Sequence, residues 1–187
     1  ALATRVVLEQ EIEMVVVNFS SPFCLCNKRG GCKFEAKNLA ESFGLEFKAI
    51  SVFDEFIEIV KNPKHGYGSN LNPCIDCRIL MFKTAKKFME GIGASFIITG
   101  EVVGQRPMSQ QRHTLRLIEK ESGLEGLILR PLSAKLLPET IPEIKGWVKR
   151  EKLLAINGRG RKEQIALVEE FNMGNYPCPS GGCLLTD

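Results

Sequence analysis

The sequence lacks any apolar run near the roughly 20 residues that a membrane-spanning helix needs. Its N-terminus also lacks the charged, apolar and small-residue order of a secretory signal. We therefore expect a soluble, cytoplasmic protein with no membrane partner. A chain of 187 residues that is 44% hydrophobic and 25% charged is long enough to bury a full-sized hydrophobic core, so it should fold without covalent cross-links.

Histidine is scarce, with two residues, whereas cysteine is frequent and odd in number at seven. In a chain without secretory marks, such a count favours thiol chemistry or metal binding over a disulfide framework. Some of these cysteines can still be inert packing residues. Neither His65, in a glycine-rich loop, nor His113, among arginines, is assigned a catalytic role.

Acidic residues are nearly absent from two segments. Lys145 to Lys162 holds seven basic residues and one acid, and Gly104 to Arg116 holds three arginines and no acid. The net charge of +3 is too small to require a nucleic-acid partner, so these segments either contact RNA phosphates or form a solvated surface. The candidate RNA-binding residues are Arg106, Arg112, Lys149, Arg150, Arg159, Arg161 and Lys162.

Apolar, β-branched blocks alternate with helical segments over residues 1–131. The predicted strands are MVVVNF, LEFKAISV, ASFIIT and LEGLILRPL, and the predicted helices are ALATRVVLEQ, FEAKNLAESFG, DEFIEIVKN and RILMFKTAKKFMEG. This alternation predicts βαβ units and an α/β domain whose parallel sheet has helices on both faces. Prolines and two short helices, EKLLAI and RKEQIALVEEFN, predict a small C-terminal helical extension over residues 132–187.

The loops after the predicted strands are the expected functional edge, because ligands of open parallel sheets bind beyond the carboxyl ends of the strands. These loops include SSPFCLC after the first strand, GEVVGQRPMSQQR after the third and RPLSAK after the fourth. Gly100 ends the third strand, where the missing side chain lets backbone approach a ligand. We therefore expect the loop from Glu101 to Arg106 to border a ligand site.

Two cysteines, Cys74 and Cys77, stand at the predicted start of a helix, where the macrodipole favours thiolate. Their C-x2-C spacing suits zinc, an iron–sulfur cluster or a redox dithiol, and Cys183, in a glycine-flanked loop, could supply a third ligand. Three thiolates on a cubane cluster would leave one iron open, whereas structural zinc is normally closed by four ligands. The cysteines of a second group, with no assigned role, are Cys24, Cys26 and Cys32.

Two stretches resemble the ATP-dependent tRNA thiolation enzymes, the 2-thiouridylases and 4-thiouridine synthases of the PP-loop ATP pyrophosphatase class. They are NPCIDCRILMFKTAKKFMEGIGASFIITGE and GRGRKEQIALVEEFNMGNYPCPSGGC. The resemblance implies a Rossmann-like, adenine nucleotide alpha hydrolase-like fold and an enzyme that transfers sulfur to an adenylated uridine of tRNA. It also implies ATP with Mg²⁺, and either sulfide or a persulfide carrier as the sulfur donor.

The resemblance also assigns roles to individual residues. Cys77 and Cys183 match the two cysteines that carry the sulfur, and Cys74 matches the extra cysteine of cluster-bearing relatives. Those three would bind a [4Fe–4S] cluster, or zinc as the alternative metal. The residues expected to bind the nucleotide are Asn18, Ser20, Gly100 and Glu101, and the basic segments would hold the tRNA backbone.

The sequence departs from this family at its start. The family's Ser-Gly-Gly-x-Asp-Ser loop, which cradles the pyrophosphate of ATP, precedes the helix that ALATRVV resembles, and no such loop occurs in the sequence. We expect either that the natural chain continues upstream or that this relative no longer adenylates its substrate. The alternatives are a zinc-binding PP-loop synthase of the 7-cyano-7-deazaguanine type and a non-catalytic metal-binding RNA module. The first expects a tighter cysteine cluster than Cys178 and Cys183 provide.

Overall fold

The computed structural model describes residues 1–23, 31–173 and 183–186. Cys24, Cys26, Cys178 and the side chain of Cys32 lie outside the described residues. The helices are α1 (Leu2–Leu8), α2 (Gly31–Ser42), α3 (Phe53–Lys61), α4 (Cys74–Gly91), α5 (Arg112–Ser122), α6 (Ile141–Ile144) and α7 (Lys162–Glu170). The strands are β1 (Val15–Ser20), β2 (Glu46–Ser51), β3 (Ile97–Ile98) and β4 (Ile128–Leu129). No helix in the described part of the chain is long and apolar enough to cross a membrane.

The chain forms two compact units. Unit 1 comprises Ala1–Glu13 with Phe82–Tyr176, and unit 2 comprises Met14–Met81 with Pro177–Asp187. Each unit therefore combines segments that are far apart in the sequence. Each also contains one pair of parallel strands with an α-helix between them in the sequence, which is the βαβ arrangement expected of parallel neighbours.

In unit 2, β1 and β2 pair over six residues, from Val15 opposite Glu46 to Ser20 opposite Ser51. The helix between them, α2, ends before Gly44, whose φ of +66° is the left-handed conformation that glycine adopts without strain. This glycine stop was predicted from the sequence. The amphipathic α3 contributes the buried Phe56 to the core of this unit.

In unit 1, β3 and β4 pair over two residues, with Ile97 opposite Ile128. The backbone continues this pairing by one bond, because Thr99 N donates to Leu129 O at 3.0 Å. Ile128 and Leu129 are almost completely buried, as are Leu115 and Ile118 of α5. The short strands are therefore anchored mainly by the packing of their apolar side chains.

The predicted α/β class and the parallel βαβ units are confirmed. Within the described residues the strands form two separate two-stranded sheets, so a single sheet with helices on both faces stays a prediction. No element was predicted for residues 113–123, although the buried positions of α5 follow a helical spacing and Gly123 caps its end with a φ of +67°.

The predicted helix EKLLAI is wrong beyond its first turn, because only Arg150–Lys152 is helical, as a short 3-10 turn. Leu154 N donates to Pro131 O at 2.9 Å, and Ile156 N donates to Leu132 O at 2.8 Å. These bonds to the segment after β4 hold the chain extended where local composition favours a helix. The other helix predicted for the extension, RKEQIALVEEFN, is confirmed as α7.

Candidate functional site

The first turn of α4 carries two of the predicted site cysteines. The helix begins at Cys74, directly after the buried Pro73, and Cys77 N donates to Pro73 O at 2.9 Å. Proline suits the entrance of a helix because its φ is already helical and it has no N–H that would need a partner. Cys74 and Cys77 are three residues apart and therefore lie on the same side of the helix.

The Cys77 thiol has a pKa that is raised from 9.0 to about 12. Burial is the largest cause, because a thiolate loses its hydration there. The Arg78 cation opposes this shift, whereas negative charge on Cys74, Cys183 and Asp76 adds to it. Burial therefore raises the pKa of Cys77, at a helix start that was expected to favour the thiolate.

The influence of Cys183 on this pKa places the C-terminal thiol near Cys77 in space. The backbone supports this placement, because Leu184 N donates to Phe23 O at 2.8 Å and so joins residues 183–186 to the chain just after β1. The Phe23 ring in turn lies 5.9 Å from the Phe56 ring of α3. Cys74, Cys77 and Cys183 are all half-buried, reduced thiols of unit 2.

The three thiols do not form a metal site in this arrangement. Among the residues that the structure describes, no group of three or more histidine, cysteine, aspartate or glutamate side chains is placed to hold a metal ion. These donors therefore do not fit a cluster or zinc as they stand, and metal binding by Cys74, Cys77 and Cys183 stays a prediction.

The pH dependence of Cys77 alkylation tests this environment. Because only the thiolate reacts, the rate in the folded protein should keep rising above pH 9 without levelling off, since the folded pKa is about 12. In the denatured chain the rate should level off above the ordinary pKa of 9.0. The raised pKa also predicts that Cys77 contributes fully to the free energy of unfolding below pH 9. This contribution is lost as the pH rises toward 12. Peptide mass spectrometry after brief exposure to iodoacetamide measures both rates, and coinciding profiles would contradict the burial of Cys77.

Asp76 lies between the two cysteines and is buried at 6% exposure. Its Oδ2 accepts a hydrogen bond from the His65 backbone N at 2.9 Å, and its Oδ1 lies 2.8 Å from the His65 ring Nδ1. His65 was assigned no role from the sequence. Its isolated position in a loop offered no signal, because the partner is eleven residues away and is brought close by the fold.

The predicted nucleotide-binding residues are divided between the units. Asn18 and Ser20 belong to β1 in unit 2, and Gly100 and Glu101 follow β3 in unit 1. Gly100 stands just beyond the carboxyl end of β3, as predicted, and is exposed. Glu101 is buried at 2% exposure and accepts a hydrogen bond through Oε2 from Arg130 Nε at 3.1 Å. Nucleotide binding by these four residues stays a prediction.

Arg130, which the sequence analysis missed, ties together the carboxyl ends of β3 and β4. It is 3% exposed, and its Nη1 donates to Glu119 Oε1 on α5 while its Nε donates to Glu101. An arginine directly after a buried strand is the available sequence signal for such a role. The ion-pair network fixes the start of the loop that follows Gly100, because Glu101 is that loop's first residue.

The loop from Glu101 to Gln110 packs against two other segments of unit 1. Val103 N donates to Ser133 Oγ at 3.0 Å, and Gly158 N donates to Val103 O at 2.8 Å. Gly104, with a φ of +74°, passes so near that a Cβ there would lie 3.5 Å from Gly158 N. The loops after β3 and β4 therefore meet at one edge of unit 1, as expected from the parallel pairing.

The predicted RNA-binding residues differ in their surroundings. The exposed members of the set are Arg106, Arg112, Lys149, Arg159 and Lys162, and Arg161 is half-buried. Arg150 donates through Nη1 to Glu143 Oε1 at 2.6 Å and through Nη2 to Leu137 O at 2.9 Å. Because Glu143 is buried, Arg150 has a structural role that the exposed residues lack.

Comparison with protein-family models identifies the family of this chain. The chain belongs to a PP-loop tRNA thiolation family, which confirms the resemblance found in the sequence. The matching family model is described as Thiamine biosynthesis protein (ThiI) and covers residues 1–141 of the 187. No curated protein and no solved structure gave a significant match. Family membership supports a broad role in tRNA sulfur transfer.

Proposed function

We propose that the protein catalyses ATP-dependent thiolation of a tRNA uridine and that Cys77 and Cys183 carry the sulfur transfer. The observation that carries this proposal is that one compact unit holds both Cys77 and Cys183, with the backbone next to Cys183 bonded from Leu184 N to Phe23 O at 2.8 Å. Two-thiol sulfur transfer requires such proximity, because it ends in a disulfide between the participating cysteines. The family match supplies the reaction class.

The proposed chemistry balances without a bound metal. ATP, with Mg²⁺, converts the uridine carbonyl oxygen into an adenylate, and the terminal sulfur of a cysteine persulfide bonds to that ring carbon as AMP leaves with the oxygen. The thiolate of the second cysteine then attacks the inner sulfur of the first, which releases thiouridine and leaves a Cys77–Cys183 disulfide. Sulfide can open that disulfide to give one thiol and one persulfide, or a reductant and a persulfide carrier can renew the site.

The remaining predicted residues take supporting roles in this proposal. We propose that residues 1–131 are the nucleotide-binding part of the chain, with Asn18, Ser20, Gly100 and Glu101 as candidate contacts, and that residues 132–187 bind the tRNA. A cytoplasmic location follows from the tRNA substrate. Because no Ser-Gly-Gly-x-Asp-Ser loop occurs among the 187 residues, thiolation should be assayed with the complete natural gene product.

The activity test measures thiouridine in tRNA by mass spectrometry of nucleosides. The complete protein, tRNA and a persulfide donor should give thiouridine and AMP when ATP is present and neither product when ATP is omitted. AMP formation without thiouridine would contradict the sulfur-transfer proposal.

Metal analysis tests the two alternatives to a metal-free site, an iron–sulfur cluster and zinc. Iron with acid-labile sulfide after anaerobic reconstitution would point to a [4Fe–4S] cluster on Cys74, Cys77 and Cys183. Stoichiometric zinc would point to the 7-cyano-7-deazaguanine type of synthase or to a non-catalytic metal-binding RNA module. The two-thiol proposal predicts full activity in protein that contains neither metal.

Charge reversal tests the tRNA surface. The triple variant Lys149→Glu, Arg159→Glu and Lys162→Glu should bind tRNA more weakly, because these exposed cations are proposed to meet phosphates. The slope of log affinity against log salt should become shallower by about one for each contact that is lost. Filter binding over a salt series measures both effects.

Arg150→Ala is the matched control for that triple variant. It also removes a cation from the same segment, yet it leaves the buried Glu143 without its arginine partner. We expect about 2 kcal/mol less stability and an unchanged salt slope. If the triple variant binds tRNA as the unmodified protein does, this basic segment is a solvated surface and has no RNA-binding role.

A further inference from the structure

The contact between His65 and Asp76 connects the loop before α4 to the first turn of that helix. Both carboxylate oxygens of Asp76 are engaged by the same residue, one by the His65 backbone N–H and the other by the ring Nδ1. The two side chains are 16% and 9% exposed. Two contacts from different parts of one residue restrict rotation of the carboxylate far more than one contact would.

The loop that holds His65, residues 62–73, combines left-handed backbone positions with hydrogen bonds such as Gly68 N to Asn72 O at 2.8 Å and Tyr67 Oη to Val60 O at 2.6 Å. Gly66 has a φ of +71° and Asn70 a φ of +53°, and a glycine-rich backbone loses much entropy when it is ordered. The loop nevertheless delivers Pro73 and Cys74 to a defined helix start. The contact with Asp76 adds a direct tie between this loop and the first turn of α4.

The site also gives a reason to doubt that Asp76 is there only for helix capping. Asp76 is 6% exposed, and both of its carboxylate oxygens contact His65. A carboxylate in the first turn does favour the helix dipole, but an exposed position would serve that purpose as well. The burial of the Asp76 carboxylate and its two contacts with His65 indicate that it positions the first turn of α4.

We propose that His65 is a positioning residue which, by holding Asp76, orients the first turn of α4 so that Cys77 can form the disulfide with Cys183. This inference rests on the proposed two-thiol function and adds a specific residue to it. The ring acts through Asp76 and is not assigned any contact with substrate. The ring nitrogen that matters is Nδ1, because that atom faces the carboxylate.

The test compares His65→Ala, His65→Asn and His65→Gln. An asparagine amide places its N–H near the position of Nδ1, whereas a glutamine amide reaches farther and places it near Nε2. The first measurement is the equilibrium between the Cys77–Cys183 disulfide and a glutathione buffer, read by mass spectrometry with neither ATP nor tRNA present. The second is kcat and KM for tRNA in the thiolation assay.

We expect His65→Ala and His65→Gln to lower the effective concentration of the two thiols, and kcat, by about tenfold each, with KM for tRNA unchanged. His65→Asn should restore both values to within about threefold. His113→Ala, at an exposed histidine of α5, is the matched control and should change neither. If His65→Ala does not fold, the comparison of Asn with Gln still decides, because both retain a polar side chain.

Equal loss in the Asn and Gln variants, or an unchanged disulfide equilibrium in the Ala variant, would overturn the proposal. The two hypotheses fail differently. If the unmodified protein does not thiolate tRNA but the disulfide equilibrium responds to His65 as described, the proposed function fails and the positioning role stands. If thiolation occurs through Cys77 and Cys183 but is indifferent to His65, the positioning role alone fails.

Discussion

Replacing Cys77 or Cys183 by serine should reduce tRNA thiolation by about 10³-fold or more, as expected for the loss of a nucleophile. A serine hydroxyl can neither carry a sulfane sulfur nor complete a disulfide, so either variant stops the cycle. Affinity for tRNA should not change, because the proposed phosphate contacts lie elsewhere in the chain. Thiouridine yield under single-turnover conditions is the appropriate measurement, since it does not depend on renewal of the site.

Cys74→Ser is the matched control for these two variants. Cys74 is a half-buried thiol on the same turn of α4, but the two-thiol route gives it no step. We expect it to retain activity within about threefold, an effect typical of a small packing change. Loss of activity in all three variants, together with iron in the protein, would replace the two-thiol route by the cluster route.

Arg130→Met should cost about 3–5 kcal/mol of stability, because it leaves Glu101 buried without its cation. Methionine has a similar length and fills much of the same space, so the loss reports the charge rather than a cavity. The midpoint of denaturant unfolding measures the effect. The exposed Arg116 of α5 provides a matched control, and Arg116→Met should change stability by no more than about 0.5 kcal/mol.

A double variant isolates the electrostatic part of this prediction. Arg130→Met combined with Glu101→Gln removes both charges of the pair, so it should be more stable than Arg130→Met alone. Equal stability of the Arg130→Met and Arg116→Met variants would contradict the proposed role of the buried network. A double variant that is less stable than Arg130→Met would show that Glu101 is stabilised by something other than Arg130.

Local sequence signals identified the elements that depend on neighbouring residues. The helix from Arg78 onward was predicted from its apolar spacing and begins one turn earlier, at Cys74, and the end of α2 follows from Gly44. The segment EKLLAI was mispredicted because its extended form depends on bonds to Pro131 and Leu132, which local composition does not reveal. The strands β3 and β4 were placed correctly, although regular pairing extends over fewer residues than the apolar runs suggested.

The candidate site was predictable only in part, because its contacts also join residues that are far apart in the sequence. The expectation that Cys77 and Cys183 act together in sulfur transfer came from the family resemblance. The raised pKa of Cys77 arises from burial, which is a property of the folded state. Arg130 and Glu101 are 29 residues apart, and no periodicity links them. His65 was passed over because a solitary histidine in a loop gives no indication of a carboxylate partner.

The most direct test of the central claim is a count of disulfides against thiouridines in one turnover. The complete natural protein, loaded with persulfide and freed of reductant, is mixed with ATP and tRNA and then quenched with an alkylating reagent. Peptide and nucleoside mass spectrometry are performed on the same sample. The two-thiol account predicts one Cys77–Cys183 disulfide for each thiouridine formed. Thiouridine produced while Cys77 and Cys183 both remain as alkylatable thiols would contradict it.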